Sequence, residues 1–531
     1  MAFKILWVDD NIEELKSHLV YLGEKGYEVD GVTNGTDALA VMKTKNFDGI
    51  LLDEMMPGMG GLETLEEIRK LNQHIPVIMI TKSEAEDLMT RAIGKRIDDY
   101  LVKPVSPLQI LSALKRQLEA RRLTGEEVTR NYMNNFMAVG DRIATAKSPA
   151  DWEGIYEDLV TWGMDLFEYS DHGLLETHTE QMTAANLVFG KYVRERYRDW
   201  LFADGDTGVG TPGQDSGEDA VPMLSPRVFE TLVEPEIAGS RQVFWIVIDC
   251  MRQDQLRMIE PLLEPYFHIE RRNYWSILPT ATPYARNALF AGLYPLDIAE
   301  GYPNWWTDSA SHEGSRNAYE NELLGELLNR TGSAAAGSMK YYKISDARDT
   351  DPLHRNLGSL GDTRLVAAVY NFLDIMAHGR SQNRILKELA PDEAAFRTLM
   401  RTWFEHSKLF DVIKSMARKD CTVILTTDHG SMLCRRSLQI RGNRDTSSNV
   451  RYKFGDNLGV EQDNIMLMKN PEDYRLPRQS SIENYVVTSD NYYLVYPTNF
   501  HEYERLYRDS FQHGGISLEE MICPYVTLRP R

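Results

Sequence analysis

FKILWVDD, at residues 3–10, begins the pattern that decides the fold of the first part of this chain. Four further short apolar runs follow it: YEVDGV (27–32), GILLDE (49–54), PVIMIT (76–81) and DDYLVKP (98–104). The segments between these runs, such as IEELKSHLVYLGEKG and LETLEEIRKL, place apolar residues at helical spacing. Five alternations of strand and helix predict a parallel, doubly wound α/β sheet over residues 1–120.

Three carboxylates mark the ends of predicted strands. Asp9 and Asp10 end the first strand, and Asp53 ends the third. Because the carboxyl ends of parallel strands meet at one edge of a sheet, these side chains repel one another unless a cation binds. Oxygen ligands in this number suit Mg²⁺. Lys103, at the end of the fifth strand, supplies a compensating positive charge.

The motifs DD, LLDEMMPGMGG, MIT and YLVKP, taken in this order, resemble the receiver domains of two-component response regulators, which have a CheY-like fold. The resemblance covers residues 1–120 and implies that a sensor histidine kinase is a partner and that Asp53 is the phosphorylated residue. It also implies that the two aspartates of the first strand hold Mg²⁺ and that Thr81 and Lys103 contact the phosphoryl group. Tyr100, close before the lysine, would then change its side-chain packing.

The middle of the chain has no convincing strand pattern. SPADWEGIYEDLVTWGMDLFE begins with Ser148 as a helix cap and Pro149 at the first helical position. We therefore expect a central helical bundle, assigned to residues 121–203. The stretch DGDTGVGTPGQDSGEDA (204–220) is rich in Gly, Asp and Ser, which predicts a flexible acidic loop, and it opens a connector over residues 204–240.

Residues 241–531 return to α/β alternation. The runs RQVFWIVID and CTVILTTD predict buried strands that end directly in aspartate. Open α/β sheets bind ligands at the carboxyl ends of their strands, so these carboxylates indicate a site there.

Several motifs in this last part carry residues that suit metal-dependent hydrolysis. NFLDIMAH places an Asp and a His four residues apart, and hence on one face of a helix. ILPTATPYARNALFAG presents two threonines where a helix begins, a position that favours an anion. The candidates are, in chain order, Asp249, Thr280, Thr282, Asp374, His378, Asp428, His429 and His513.

Mixed Asp and His ligands suit zinc, and two zinc ions can stabilise both the attacking and the leaving oxygen of a phosphoryl transfer. A threonine hydroxyl bound to one ion would become a nucleophile. The residues alone leave Thr280 and Thr282 open for this role. His354 competes with His378 as a ligand, and the aspartate partner of His378 favours the latter.

These motifs resemble the alkaline phosphatase superfamily, and specifically its PglZ branch, over most of residues 241–531. The run Pro-Thr-x-Thr in phosphodiesterase members of that superfamily selects Thr282 over Thr280, and the Ala281–Tyr284 segment lacks the sulfatase motif. The resemblance implies a first zinc ion held by Asp249, Thr282, Asp428 and His429, and a second held by Asp374, His378 and His513.

Composition excludes several other classes of protein. A formal net charge of -20 opposes binding to duplex nucleic acid, and the sequence has no helix-turn-helix pattern. Four scattered cysteines form neither a zinc knuckle nor a disulfide framework, which suits a reducing compartment. We find no signal peptide and no run long enough to span a membrane, so we expect a cytoplasmic protein.

Basic residues cluster directly after TTDHG, in RRSLQIRGNRDTSSNVRYKF. One interpretation is a solvated loop. The other is a phosphate-binding rim beside the catalytic edge, with Arg435, Arg436, Arg441 and Arg444 as substrate-phosphate candidates and with Arg451 and Lys453 also in the cluster.

The order of receiver, helical segment and PglZ domain is similar to that of PorX-type response regulators, over nearly the whole chain. This resemblance implies a role in type IX protein secretion. The leading hypothesis is a response regulator that dimerises on phosphorylation and whose output is a zinc-dependent phosphodiesterase or phosphatase for oligonucleotide-type diesters. The alternative is a phosphorylation-switched scaffold, without enzymatic activity, that binds a sigma factor or a secretion component.

Overall fold

The computed structural model divides the chain into two compact units, residues 1–135 with 165–175 and residues 136–164 with 176–531. We describe each unit by itself. The residues that the structure describes are 2–72, 75–82, 97–169, 172–203, 217, 220–306, 317–345, 350–382, 388, 390, 392–442, 449–460, 464–498 and 500–531. The predicted acidic loop at 204–220 therefore lies almost entirely outside the described residues.

The first unit contains a five-stranded parallel sheet with the strand order β2-β1-β3-β4-β5. Its strands are β1 (Phe3–Val8), β2 (Tyr27–Val32), β3 (Gly49–Asp53), β4 (Val77–Thr81) and β5 (Asp99–Val102). Its described helices are α1 (Lys16–Glu24), α2 (Gly35–Met42), α3 (Gly61–Leu71) and α4 (Pro107–Leu114). The predicted doubly wound receiver fold is confirmed.

Helices cover both faces of this sheet, which explains why its strands read as continuous apolar runs. On one face Trp7 and Leu51 pack with Leu114 of α4, and on the other Leu52 packs with Leu65 of α3. Every residue of β3 is buried, so Asp53 ends a strand that cannot move without disturbing both layers of the core.

Three long helices follow: α5 (Ala120–Thr145), α6 (Pro149–Tyr169) and α7 (His172–Trp200). As the sequence predicts, Ser148 caps α6, because its Oγ accepts a hydrogen bond of 3.2 Å from the amide of Asp151. Each helix has residues in both units, so the assignment of residues 121–203 to a domain of their own stays a prediction.

The α6 and α7 residues of the second unit share its hydrophobic core. The ring of Trp152 lies 5.2 Å from that of Phe189, and Phe189 lies 5.4 Å from Trp275. All three side chains are fully buried, in one cluster with Tyr284 and Ile522. Folding of these helix segments is therefore tied to folding of the C-terminal part of the chain.

The second unit is built on a six-stranded sheet with the strand order β7-β18-β10-β6-β9-β8. Strand β18 is antiparallel to both of its neighbours, and the four strands from β10 to β8 are parallel. The strands are β6 (Val243–Ile248), β7 (Phe267–Trp275), β8 (Met339–Ile344), β9 (Leu365–Tyr370), β10 (Thr422–Thr426) and β18 (Ile522–Pro530). The carboxyl ends of β6, β9 and β10 consequently lie along one edge of the sheet.

Smaller sheets and helices complete the described part of this unit. The helices are α8 (Glu234–Gly239), α9 (Gln253–Leu263), α10 (Thr282–Ala291), α11 (Pro295–Gly301), α12 (Glu320–Thr331), α13 (Thr350–Asn356), α14 (Phe372–Gln382), α15 (Glu393–Glu405), α16 (Lys408–Met416), α17 (Phe500–Tyr507) and α18 (Leu518–Met521). The remaining strands are β11 (Met432–Cys434), β12 (Arg436–Gln439), β13 (Tyr452–Asp456), β14 (Ile465–Met468), β15 (Glu483–Thr488), β16 (Tyr492–Val495) and β17 (Ser510–Gln512). Among the described residues, no helix is both long and apolar enough to cross a membrane.

The shared core makes a prediction for the helical segment. Phe189→Ala removes a fully buried ring and should destabilise the second unit by about 3–5 kcal/mol. Leu187→Ala, on the same helix but 49% exposed, is the control and should change stability by less than about 0.5 kcal/mol. Hydrogen exchange in graded urea should show β6 and β10 losing protection earlier in the Phe189 variant, with β1 and β3 unchanged. Unchanged protection of β6 would mean that the helices fold independently of the sheet.

Candidate functional site

The edge of the first sheet brings three carboxylates together. The ligand oxygens of Asp9, Asp10 and Asp53 lie within 4.8 Å of one another. Lys103 Nζ lies 3.0 Å from Asp9 Oδ2 and 2.9 Å from Asp53 Oδ2. The other oxygen of Asp53 is buried and has no hydrogen-bond partner within the part of the chain that is described. This oxygen is suited to accept a phosphoryl group.

The electrostatics of this cluster favour a cation. Burial raises the pKa of Asp53 above its ordinary value, and the charges of Asp9 and Asp10 add to the shift, while Lys103 opposes it. One ammonium group cannot neutralise three carboxylates. A divalent cation with a preference for oxygen would remove the remaining repulsion, and Mg²⁺ has that preference.

The surroundings of Asp53 explain parts of the receiver motif. A β-carbon at Gly61 would collide with the carbonyl oxygen of Asp53, so the last glycine of LLDEMMPGMGG permits the close approach of α3. Thr81 is buried at the end of β4 and donates its hydroxyl hydrogen to Glu54. Tyr100, on β5, is 37% exposed. Roles for Thr81 and Tyr100 in reading the phosphoryl group stay predictions.

A second group of polar side chains lies at the edge of the six-stranded sheet. Asp249 follows β6, Asp428 and His429 follow β10, and Thr282 is the first residue of α10. His429 Nε2 lies 3.1 Å from Thr282 Oγ1, 3.7 Å from Asp249 Oδ1 and 3.6 Å from Asp428 Oδ2. The structure thus brings together all four residues that the sequence assigns to the first metal ion.

The burial of His429 determines its protonation state. It lowers the pKa of His429 to about 4, with repulsion from His513 in the same direction, so the imidazole is neutral at neutral pH. Nδ1 of His429 donates a hydrogen bond of 3.0 Å to the carbonyl oxygen of Gly430, which leaves the lone pair of Nε2 directed at the cluster. A β-carbon at Gly430 would collide with the carbonyl oxygen of Glu519, so this position requires glycine.

The two aspartates of this group are poorly satisfied without a cation. Burial raises the pKa of Asp249 to about 7, although the charge of Arg286 opposes the shift. Oδ1 of Asp249 and Oδ1 of Asp428 are buried and have no hydrogen-bond partner among the described residues. Buried polar atoms without partners are costly. A metal ion bound by these oxygens would remove that cost, so the donor set fits a metal.

The third group consists of Asp374, His378 and His513. Asp374 Oδ1 lies 3.3 Å from Nε2 of each histidine, and the two Nε2 atoms are 2.8 Å apart. Tetrahedral zinc with bonds of about 2.0–2.1 Å holds its ligand atoms about 3.3–3.4 Å apart, which the two distances from Asp374 match, whereas the two Nε2 atoms would have to move apart by about 0.5 Å. Although burial opposes it, hydrogen bonds from the two histidines lower the pKa of Asp374 well below its usual value.

The two groups are adjacent, because the rings of His429 and His513 stack with their centroids 4.4 Å apart. Of the two competing histidines, His378 lies in this second group, whereas His354 is exposed on α13 and belongs to no metal-ligand cluster within the described ranges.

The structure also separates the two threonines. Thr280 is fully buried, donates its hydroxyl hydrogen to the carbonyl oxygen of Gly515 at 2.7 Å and accepts a hydrogen bond of 3.2 Å from the amide of Gly514. It therefore joins the loop before α10 to the loop after His513. Thr282 instead places its hydroxyl beside the ligand atoms.

The predicted basic rim is only partly available. Arg451 is fully buried and ion-paired with Glu520, so its assignment to an exposed rim is wrong. Arg436 pairs with Asp490, while Arg435 and Arg441 are exposed and Arg444 lies outside the described residues. A role for the four candidate arginines in binding a substrate phosphate stays a prediction.

Sequence reasoning missed two residues of the first group. Arg286 is 1% exposed and lies between Asp249 and Asp428. Asn317 donates a hydrogen bond of 3.0 Å to the carbonyl oxygen of Thr282. A signal for Arg286 was present, since it stands four residues after Thr282 and hence on the same face of α10. Asn317 has no comparable local signal.

With this geometry in place, comparison with known families is decisive. Residues 228–528, more than half of the chain, match the family described as the BREX system PglZ alkaline phosphatase-like domain. The chain belongs to this PglZ family. Residues 5–115 match the response regulator receiver domain, and residues 122–201 match the PorX response regulator linker domain. The protein is thus a response regulator in which a receiver is fused to a PglZ alkaline phosphatase-like domain, the PorX-type arrangement.

Individual relatives cover less of the chain. The transcriptional regulatory protein ResD of Bacillus subtilis is 37% identical over 115 residues, 22% of this chain and 48% of ResD. ZraR of Klebsiella oxytoca is 36% identical over 137 residues, 26% of this chain and 31% of ZraR. The chain therefore spans about half or less of the length of these relatives.

Solved receiver structures give the same coverage. The chemotaxis protein CheY4 of Vibrio cholerae is 31% identical, with 22% of this chain and all of that chain covered and a TM-score of 0.22. The receiver domain of the sensor histidine kinase PA1611 from Pseudomonas aeruginosa is 26% identical, with 22% and 99% coverage and a TM-score of 0.21.

The receiver geometry predicts phosphorylation at Asp53. Incubation with a small phosphodonor and Mg²⁺ should give a shifted band on phosphate-affinity gels, and Asp53→Asn should abolish it. Asp48→Asn, a matched change at an exposed aspartate just before β3, should label like the wild type. Omission of Mg²⁺ should suppress labelling, because repulsion among the carboxylates then opposes a phosphate anion. Equal labelling of wild type and Asp53→Asn would contradict the assignment.

Proposed function

We propose that the output domain is a zinc-dependent phosphodiesterase or phosphatase that acts on oligonucleotide-type phosphodiesters. The observation that carries this proposal is the position of Thr282 Oγ1, 3.1 Å from Nε2 of His429, at the first of two adjacent ligand groups. A partly exposed hydroxyl beside the ligand atoms, at the start of a helix, is placed to react with a substrate.

The residues have distinct tasks in the proposed reaction. Bound zinc would lower the pKa of the Thr282 hydroxyl and offset charge on the phosphate. Thr282 Oγ then attacks phosphorus and loses its proton, while the ester bond to the leaving alcohol breaks and the alcohol takes up a proton; water later breaks the bond between Thr282 Oγ and phosphorus, restores the hydroxyl and releases a phosphate monoester. Because α10 begins at Thr282, the phosphate lies at the positive end of the helix dipole. Asn317 holds the backbone of Thr282 in place.

The preference for diesters rests on the resemblance of the Pro-Thr-x-Thr run to phosphodiesterase members of the superfamily. Linear or cyclic oligonucleotides are the proposed substrates. The match of residues 122–201 to the PorX linker domain supports a role in type IX secretion. A cytoplasmic location and activation by a sensor histidine kinase complete the proposal, and the kinase follows from the receiver.

Regulation can reach the site through α7. The hydroxyl of Tyr197 accepts a hydrogen bond of 2.7 Å from the amide of Leu278, in the loop that leads to Thr282. Asn186 accepts a hydrogen bond of 2.8 Å from the amide of Leu518 and donates one of 2.9 Å to Glu519, after the loop that carries His513. One helix therefore supports both loops of the proposed site.

One observation favours the alternative function as a scaffold. Leu123 and Met133 on α5 are 57% and 55% exposed. Large exposed apolar side chains often mark surfaces for partners, such as a sigma factor or a secretion component. Turnover of a nitrophenyl diester in the presence of zinc distinguishes the two functions, because a scaffold would show none.

Thr282 gives the sharpest test of the enzymatic proposal. Thr282→Val should lower diester hydrolysis by at least about 100-fold, since it removes the nucleophile, while zinc content stays near that of the wild type. Thr282→Ser keeps a hydroxyl and should retain measurable activity. Thr280→Val is the positional control and should lower activity less than Thr282→Val, because the hydroxyl of Thr280 forms its hydrogen bonds with the backbone of the 514–515 loop and not with the ligand atoms. An active Thr282→Val with an inactive Thr280→Val would reverse the assignment.

Phosphorylation should change the quaternary state. A phosphoryl group adds about -1.5 to -2 of charge at Asp53, which should reorder the receiver surface near Thr81, Lys103 and Tyr100. A coupling of about 1–3 kcal/mol would shift the balance from monomer to homodimer. Light scattering with and without phosphodonor should show a rise in mass for the wild type and none for Asp53→Asn. Equal masses in all conditions, with unchanged hydrolysis, would leave the two domains uncoupled.

A further inference from the structure

The guanidinium group of Arg286 lies between two proposed ligands of the first zinc ion. It forms an ion pair with Asp249 Oδ2, and its Nε lies 3.0 Å from Asp428 Oδ2. Its Nη1 donates to Asn371 Oδ1 at 3.2 Å and lies 3.3 Å from Glu320 Oε1. Each of the three guanidinium nitrogens thus lies next to an acidic or amide oxygen, and Nη2 meets Asp249 as an ion pair without hydrogen-bond geometry.

Arg286 contacts one carboxylate oxygen of Asp249 and one of Asp428, and it forms no hydrogen bond with the second oxygen of either residue. The bonded atom is Oδ2 in both Asp249 and Asp428, and the buried Oδ1 of both is without a hydrogen-bond partner in the described part of the chain. The unbonded Oδ1 of Asp249 lies 3.7 Å from His429 Nε2, whereas the oxygen of Asp428 that lies 3.6 Å from this nitrogen is the same Oδ2 that faces Arg286. Arginine suits this task because its planar group can bond two carboxylates at once, which the single ammonium of lysine does less well.

Arg286 also balances the charge of the buried carboxylates around it. Asp249, Asp428 and Glu320 are all nearly fully buried. Lys343, with its Nζ 3.0 Å from Glu320 Oε2, is the second cation of this group. Without Arg286, the two aspartates would face each other without its charge between them, and their repulsion would favour turning apart.

We propose that Arg286 is a positioning residue for the first metal site, which it preorganises by holding Asp249 and Asp428 beside His429. The inference rests on the metal site of the proposed function. Partners that orient metal ligands typically contribute about 10–100-fold to metal affinity. Arg286 also lies one turn after Thr282 on α10, so the same helix positions the nucleophile and two ligands.

The test is zinc affinity of the full-length protein, measured by competition with a chromogenic chelator. A His378→Ala background removes a ligand of the second ion, so that the readout reports the first. In that background, Arg286→Lys and Arg286→Gln should each weaken zinc binding about 10–100-fold. Asn371→Ala removes one hydrogen bond to Arg286 and should weaken zinc binding by a smaller factor. This variant replaces the Arg286 variants as the test if those do not fold.

Arg252→Lys is the matched control. Arg252 is also 1% exposed and ion-paired with two carboxylates, Asp254 and Glu393, neither of which belongs to a metal-ligand group. The Arg252→Lys variant should be less stable than the His378→Ala parent but should bind zinc with the same affinity. Absence of zinc from the wild-type protein would overturn the proposed function itself. If the folded Arg286 variants bind zinc as tightly as the His378→Ala parent, only the role of Arg286 is overturned. If the Arg286 variants do not fold, the same affinity in Asn371→Ala has the same meaning.

Discussion

Repulsion between buried carboxylates is the constraint on which both sites of this protein depend. At the edge of the receiver sheet, Asp9 and Asp53 are 1% and 2% exposed and share Lys103. At the edge of the second sheet, Asp249 and Asp428 share Arg286. In both places one cation faces more than one carboxylate, so the balance is incomplete. The incomplete balance makes each edge a site for a divalent ion, and through that ion for phosphate.

The carboxylate clusters at the two sheet edges differ in how far they are buried. The receiver cluster includes Asp10, which is exposed, so this edge is partly open to solvent. In the first ligand group of the second sheet, Asp249, Asp428 and His429 are buried, and Thr282 is partly exposed. An exposed edge suits a modification that must be added and removed. A buried edge suits preorganised catalysis, because fixed ligands need little rearrangement when the substrate binds.

The sequence predicts what is local and misses what is remote. Aspartates at the ends of apolar strands, the i, i+4 pair of Asp374 and His378, and the helix start at Thr282 all follow from spacing along the chain. The basic cluster misleads because its partners are distant: Glu520 is 69 residues from Arg451 and Asp490 is 54 residues from Arg436. Only the folded chain reveals that these charges are already paired, and the contact of Asn317 with Thr282 is hidden for the same reason.

The position of α7 suggests how a signal can alter catalysis without blocking the site. Asn186 is fully buried and bonded to both Leu518 and Glu519, and burial raises the pKa of Glu519 to about 7. The carbonyl oxygen of Glu519 in turn lies where a side chain at Gly430 would be, directly after His429. A small shift of α7 would therefore be transmitted through Glu519 to a metal ligand and through Tyr197 to the loop before Thr282. The proposed phosphoryl transfer depends on the alignment of these groups, so a displacement of about 1 Å would be enough to change its rate.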